Sequence, residues 1–469
     1  MFCQDPVEMN TDDVFDDSMV DEIRCSKLRL AENLMAYLEK QELIRESEPM
    51  TCDSSLVENV TSNYVIAKKI LSYLPWQDKL LCKNVCSMWY SAVHALEKEQ
   101  QSPADFVIDL QICAIRGGIK FKKSNNFSIE PLAVLTFANM AGFTISSKCE
   151  VLVPSPCTPQ CDKEHCLIDV VNVNVSAPKT CMLTVRASYL SYMPLPQSIT
   201  YEHMVTNQMF VRATPFIGGV YIPAIPDVQF HVINIKTLEE LQTSFYDRMD
   251  KLAQTQYVKG ALVYVTDTYI LHASGDSLSF LNYFRELQPD VPYAMGGCIV
   301  EDVMFEPRDI EQMVENVNNG SDFISENIIS IGLFSVPKSK TNSNFEMYSL
   351  IIESNNWTKA KIQTSINEFS KKVPPFENSV VLKLSCVGRG KKHELEQDYF
   401  RAAFPHTRLV GCYGNGELGL NHPARPPSDD PPTSAKRYRG ATETIASLRY
   451  SYSTVFVYIG WGKVLSENK

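Results

Sequence analysis

Apolar residues in this chain follow two regimes that meet near Ser102-Pro103. Upstream they recur at helical intervals. Val20, Ile23, Leu28, Leu30, Leu34 and Leu38 mark segment 19–46, which has no Gly or Pro and predicts a helix. A polar linker with Pro49 separates it from a helical block over 64–99. From Ala104 onward the apolar residues gather into short β-rich runs between polar or Pro/Gly breaks. Runs 106–112, 133–137, 149–153, 167–175, 182–185, 216–223 and 228–235 each predict a strand.

Segment 237–252 returns to helical spacing, and Thr237 with Glu240 forms a capping-box pattern at its start. A buried strand is expected over 261–266 and an amphipathic helix over 277–287. The last third repeats this mixed scheme and ends in a β-rich run, 447–459. Residues 423–440 read as a Pro-rich surface insertion, expected to be mobile. No repeat of fixed period is visible. The predicted fold is α+β: a short all-α module, then a mixed α/β region with largely antiparallel sheets.

Composition narrows the function. At 469 residues the chain exceeds what one core usually supports, so two or three domains are expected. The net charge of -11 argues against binding along a phosphate backbone, so no nucleic-acid partner is expected. Residues 1–18, with Asp12, Asp13, Asp16 and Asp17, read as an acidic tail without a basic leader. No apolar run approaches the ~20 residues that cross a bilayer, and no membrane partner is expected. Fourteen cysteines without a secretion signal predict reduced thiols in the cytoplasm or nucleus.

Within the helical block, Ile70-Leu71-Ser72-Tyr73-Leu74-Pro75 closes one short helix, and Leu80, Leu81, Val85 and Cys86 supply apolar groups to the next two. Val85 and Trp89 lie one helical turn apart. About 35 residues bury little apolar surface by themselves, so a surface meant for a partner is expected. These residues resemble an F-box, the module that packs on the Skp1 adaptor of cullin-RING ubiquitin ligases. The sequence departs from that pattern in having Ser62-Asn63 where Leu-Pro is usual, and Lys79 where a leucine is usual. The resemblance implies Skp1 contacts through Ile70, Leu71, Leu74, Pro75, Leu80, Leu81, Val85 and Trp89. The competing reading of the segment alone is a helical hairpin packed on the next domain.

Further on, Cys386-Val387-Gly388-Arg389-Gly390 follows the apolar run Val380-Val381-Leu382-Lys383-Leu384. Downstream come Phe404-Pro405 and Val410-Gly411-Cys412-Tyr413-Gly414-Asn415-Gly416-Glu417-Leu418-Gly419, and upstream stands Ala294-Met295-Gly296-Gly297. This ordered set resembles a C-terminal FIST domain, and 218–235 resembles, more loosely, the end of an N-terminal one. An F-box ahead of FIST domains is the arrangement of the FIST-containing F-box-only proteins. The implied organisation is a tail, helix and linker over 1–55, an F-box over 56–102, and FIST regions over 104–244 and 245–465. The implied function is the substrate-recognition subunit of an SCF ubiquitin ligase. Its partners would be Skp1, through it cullin and the RING subunit, and a protein substrate. It would be non-catalytic, acting by proximity, and would need no cofactor. The alternative is a FIST small-ligand sensor or scaffold outside any ligase.

Three patterns carry chemistry of their own. Gly414-Asn415-Gly416-Glu417-Leu418-Gly419 spells G-x-G-x-x-G, but Asn421-His422-Pro423 leaves no helix start to hold a pyrophosphate. Its glycines instead predict a tight turn, with Asn-Gly as a hairpin pair. Cys157, Cys161, His165 and Cys166 hold zinc-ligand atoms at spacings unlike a common finger, so no metal site is expected. Cys386 ends a strand, where Arg389 would favour its thiolate if the turn brought them together. A pocket for a small ligand or substrate is expected at Cys386, Gly388, Arg389, Gly390, Gly414, Asn415, Gly416 and Glu417; the alternative is turn geometry alone. With no general base in view, an enzyme acting through Cys386 ranks last.

Overall fold

A computed structural model describes residues 62–109, 119–139, 152–153, 164–187, 217–272, 278–303, 327–340, 344–353, 356–389, 392–424 and 448–465, with positions 55, 58, 142 and 146–148. The expected helix over 19–46 and residues 425–440 of the Pro-rich insertion lie outside these. The described chain is mixed α/β, with antiparallel pairings in the majority. No helix among the described residues is long and apolar enough to cross a membrane.

The chain opens with three helices, α1 (Tyr64–Leu71), α2 (Trp76–Cys82) and α3 (Ser87–Glu99). Next come β1 (Ala104–Asp109), β2 (Ile119–Lys123), β3 (Pro131–Ala138), β4 (Ser146–Lys148), β5 (Leu152–Val153), β6 (Glu164–Cys166), α4 (Leu167–Val175), β7 (Met182–Arg186) and β8 (Ile217–Pro223). After β9 (Gln229–Ile235) a helix starts at Leu238–Glu240, widens to a π turn at Leu241–Phe245 and continues as α5 (Tyr246–Thr255). Then follow β10 (Gln256–Thr266), α6 (Asp267–His272), α7 (Tyr283–Leu287), β11 (Ala294–Val300), β12 (Asp302–Val303) and β13 (Ile329–Pro337). The last stretch holds β14 (Phe345–Ile352), α8 (Lys359–Lys372), β15 (Phe376–Cys386), α9 (Lys392–Ala403), β16 (Arg408–Gly414), β17 (Glu417–Leu420), β18 (Arg449–Tyr450) and β19 (Thr454–Val464).

One four-strand unit occurs three times. In β1-β3-β7-β8, in β9-β10-β11-β13 and in β14-β15-β16-β19, the sheet order is first, fourth, second, third. The second and third strands are parallel across a helical crossover. The fourth runs antiparallel to the first and second in every case. Two short strands knit the units together. β17, just after β16, adds to the edge of β11, and β12, just after β11, adds to the edge of β7. The sequence has no fixed period because the same topology is reached through connections of unequal length and content.

The same close approach marks the second and third units. Gly297 on β11 faces Val263, and Gly411 on β16 faces Lys383. A Cβ at Gly297 would sit 1.7 Å from the Val263 carbonyl oxygen, and one at Gly411 2.0 Å from that of Lys383. Only glycine permits these strand contacts.

One core runs through all three large sheets, including Leu135, Val185, Tyr264, Cys298, Leu384 and Val457. A second, with Phe245, Met249, Phe280 and Phe284, lies under the helices of the six-stranded sheet. A third, on the seven-stranded sheet, joins α4 to Trp76 of α2.

Several expectations are corrected. Residues 167–175 form helix α4, not a strand. Leu167, Ile168, Val170, Val171 and Val175 are buried at helical intervals, and packing on the sheet overrides their β-branched preference. Of 149–153 only β5 is described as strand, and the predicted 277–287 helix is a 3-10 turn, Ser279–Asn282, running into α7. The Thr237 cap holds: its hydroxyl accepts from Glu240 N at 3.1 Å, and the Glu240 carboxylate accepts from Lys236 N at 2.7 Å.

Candidate functional site

The helical module is apolar on two sides. Asn63 caps α1, its side-chain oxygen accepting from Val65 N and Ile66 N. Leu71 turns inward onto Ala92, Val93 and Leu96 of α3, forming the module's own small core, and Ala67 is fully buried as well. Ile66, Ile70 and Tyr73 follow at spacings of four and three, so they share an outward face. Tyr73 is 64 % exposed and Val65 72 %. Tyr64, Val65, Ile66, Ile70, Tyr73, Val85 and Tyr90 are seven of the twelve exposed large apolar side chains among the described residues; the rest are Leu238, Leu271, Tyr452, Val464 and Leu465.

The residues singled out for adaptor contact therefore divide. Ile70, Pro75 and Val85 are exposed; Leu74, Leu80, Leu81 and Trp89 are half-buried; Leu71 is enclosed. Ile66, Tyr73 and Tyr90 were missed, although the Ile66-Ile70-Tyr73 spacing was there to be read.

Lys79 is buried in the joint between module and body. Its ammonium donates to the Gln100 side chain at 2.5 Å and to the Ser128 carbonyl at 3.0 Å, and burial pushes its pKa down to about 8. Trp76 N donates to the Phe127 carbonyl at 3.1 Å. At Gln101, the carbonyl accepts from Trp461 Nε1 at 3.0 Å. The module is thereby held on the first and third units.

The predicted pocket residues come together only in part. Cys386 ends β15 and is 8 % exposed; Glu417 starts β17 and is fully buried. Glu417 Oε2 accepts from Ser453 Oγ at 2.6 Å and Ser453 N at 3.2 Å. Oε1 takes no hydrogen bond from an N–H or O–H of the described residues, and the Cys386 thiol interacts with the same carboxylate. Burial outweighs these bonds and pushes the Glu417 carboxyl up to about 8. Asn415 is exposed and donates to Asp267 at 2.8 Å. Gly414 backs onto Cys298 and Gly388 lies under the Tyr452 ring; Gly390 lies outside the described residues.

Two expectations about this region are corrected. Asn415-Gly416 does not close a hairpin: β16 pairs with β15 in the four-stranded sheet, β17 with β11 in the six-stranded one. The turn carries the chain between sheets, locked by Ile299 N donating to Gly416 O and Asn415 N to Ile299 O, both at 2.9 Å. Strand β17 follows it directly, where a dinucleotide site would need a helix start. Nor does Arg389 favour a Cys386 thiolate. The guanidinium is committed to the fully buried Glu396, Nε and Nη2 donating to Oε1 at 2.8 and 2.6 Å, and Nη1 donates to Tyr452 O at 2.7 Å. Burial, then the Glu417 carboxylate, pushes the Cys386 thiol up.

Behind this pair, Lys383 donates to the His393 carbonyl at 2.6 Å, and burial pushes its pKa down to about 8. Burial also holds the His393 ring well below its ordinary pKa, edge-on to Tyr413 at 4.5 Å. Sequence reasoning missed Glu396 and Ser453; a lysine inside the apolar run 380–384 was the one signal that a buried charge needed partners.

Of the cysteine-histidine cluster, Cys157 and Cys161 lie outside the described residues, and His165 sits in β6 beside Cys166. Among the described residues no three His, Cys, Asp or Glu side chains converge to hold a metal ion.

No protein-family model and no curated protein matches the chain. Among solved structures it is similar to a cyanuric acid hydrolase from A. caulinodans, with a TM-score of 0.28 and 8 % identity over 71 % of this chain and 92 % of that one. It is also similar to a second cyanuric acid hydrolase structure, with a TM-score of 0.28 and 9 % identity over 77 % and 99 %. The expected role as an SCF substrate-recognition subunit is corrected on this finding, since the matched proteins are hydrolases and not ligase subunits. Neither that role nor its ligand-sensor alternative is carried further. A likeness at this score brings no hydrolase activity to this chain either.

Proposed function

We propose that this chain is a non-catalytic docking protein whose F-box-like helical module binds a protein partner through the face formed by Ile66, Ile70, Tyr73, Val85 and Tyr90. The observation that carries this reading is the concentration of exposed apolar side chains between Tyr64 and Tyr90. Exposed apolar side chains gathered on one short module of a folded protein mark an interaction site more often than they mark chance. The face also stands on a fixed base, because Trp76 and Lys79 anchor the module to the body. A rigid platform keeps the ordering cost of association low.

The F-box resemblance supplies Skp1 as the first partner to try. The face allows a clean test, since none of its side chains belongs to the module's own core cluster. Ile70→Glu with Tyr73→Glu places two carboxylates on the interface without touching Leu71 or Leu96. Wild type should retain purified Skp1, and the double variant should weaken binding by about tenfold or more at unchanged thermal stability. Equal retention by both proteins rules out the face.

A further inference from the structure

We propose that Cys298 and Cys412 are an oxidation site, where a reversible disulfide ties the second repeat to the third. The two residues hold the same place in their units. Cys298 follows Gly297 on β11 and is in register with Tyr264; Cys412 follows Gly411 on β16 and is in register with Leu384. Both are fully buried in the core shared by the sheets, and their Sγ atoms stand 4.0 Å apart. Among the described residues, the hydrogen-bonding contact of each thiol is the other thiol. The strands themselves are in contact here, since a Cβ placed at Gly414 would fall 2.6 Å from the Cβ of Cys298. A bond of about 2.05 Å needs the sulfurs to close roughly half the gap, which modest side-chain rotation on two facing strands can supply.

The chemistry balances with a peroxide as oxidant. One sulfur attacks the O–O bond, becomes a sulfenic acid and releases water. The second sulfur displaces the hydroxyl from the first, forming the S–S bond and releasing a second water. Two thiols and one peroxide give one disulfide and two waters; a thiol reductant reverses it. Burial makes the step slow, because it waits on transient opening of the core. The exposed Cys86 is therefore oxidised first.

The test uses the full chain treated with hydrogen peroxide. Remaining thiols are alkylated under denaturing conditions, and the peptides are mapped without reductant. The expected product is a peptide pair joined through Cys298 and Cys412, lighter by two hydrogens than its reduced parts, retained in Cys386→Ala and absent in Cys412→Ala. The wild-type map decides the matter even if a variant fails to fold. Full alkylation of both Cys298 and Cys412 after Cys86 has been consumed, or Cys298 joined to Cys386 instead, overturns the proposal.

Discussion

Lys79 leaves its helix to bond the body of the protein, its ammonium 3.0 Å from the carbonyl of Ser128. With Trp76 buried against Phe127 and Tyr221 in the same cluster, this contact makes the helical module part of the fold.

Residues 104–469 alone should therefore be unstable, although the composition shift at Ser102-Pro103 reads as a domain boundary. Trp76→Ala in the full chain should cost about 3–5 kcal/mol, the usual range for removing a buried aromatic. Chemical denaturation checks it; a loss under 1 kcal/mol would mean that the module sits loosely.

The Arg389–Glu396 pair is fully buried, so removing one partner strands the other charge. Glu396→Ala should destabilise the protein by about 3–5 kcal/mol, while Arg389→Met with Glu396→Leu should recover most of the loss. Urea unfolding of the three proteins measures this. Equal losses in the single and double variants would show that the other bonds of Arg389 dominate.

Glu417 should give stability a distinct pH dependence. Its carboxyl titrates near 8 in the folded chain, well above its ordinary value of 4.5. Between those values the folded state holds the proton more tightly than the unfolded one. The stabilisation is complete below about pH 4.5 and is lost as pH rises toward 8, at up to about 1.4 kcal/mol per pH unit. Glu417→Gln should flatten this part of the profile in thermal melts from pH 5 to 8. A variant with the wild-type slope would assign it to another group.

Gly411→Ala should prevent accumulation of folded protein, because its φ of 151° and the nearby Lys383 carbonyl both exclude a side chain. Gly416→Ala meets the flexible end of the Ile299 side chain at 3.1 Å and the Tyr450 carbonyl oxygen at an ordinary 3.4 Å, at a similar φ of 147°, and should be milder. Soluble yield and melting temperature compare the two.

Local signals carried much of this fold. The Thr237-Glu240 cap, the glycine-flanked strands and the helical spacing over 64–99 were each visible, because each rests on residues near in sequence. What escaped depends on how the elements pair and pack in three dimensions. Leu167–Val175 reads as strand by residue type and is helix because the sheet beneath it buries a helical stripe. Asn415-Gly416 has the chemistry of a hairpin turn, yet the next strand finds its partner in β11, over a hundred residues upstream. Arg389 meets Glu396 only because a 3-10 turn feeds α9 back over the end of β15. The threefold repeat stayed hidden for the same reason: pairing order leaves no periodic trace in the sequence.

Hydrogen–deuterium exchange of the full chain with and without purified Skp1 tests the docking face most directly. Added protection is expected in peptides covering 64–74 and 85–90, with the strands around Glu417 unchanged. Unaltered exchange across the module at saturating Skp1, or protection confined to the sheets, would contradict it.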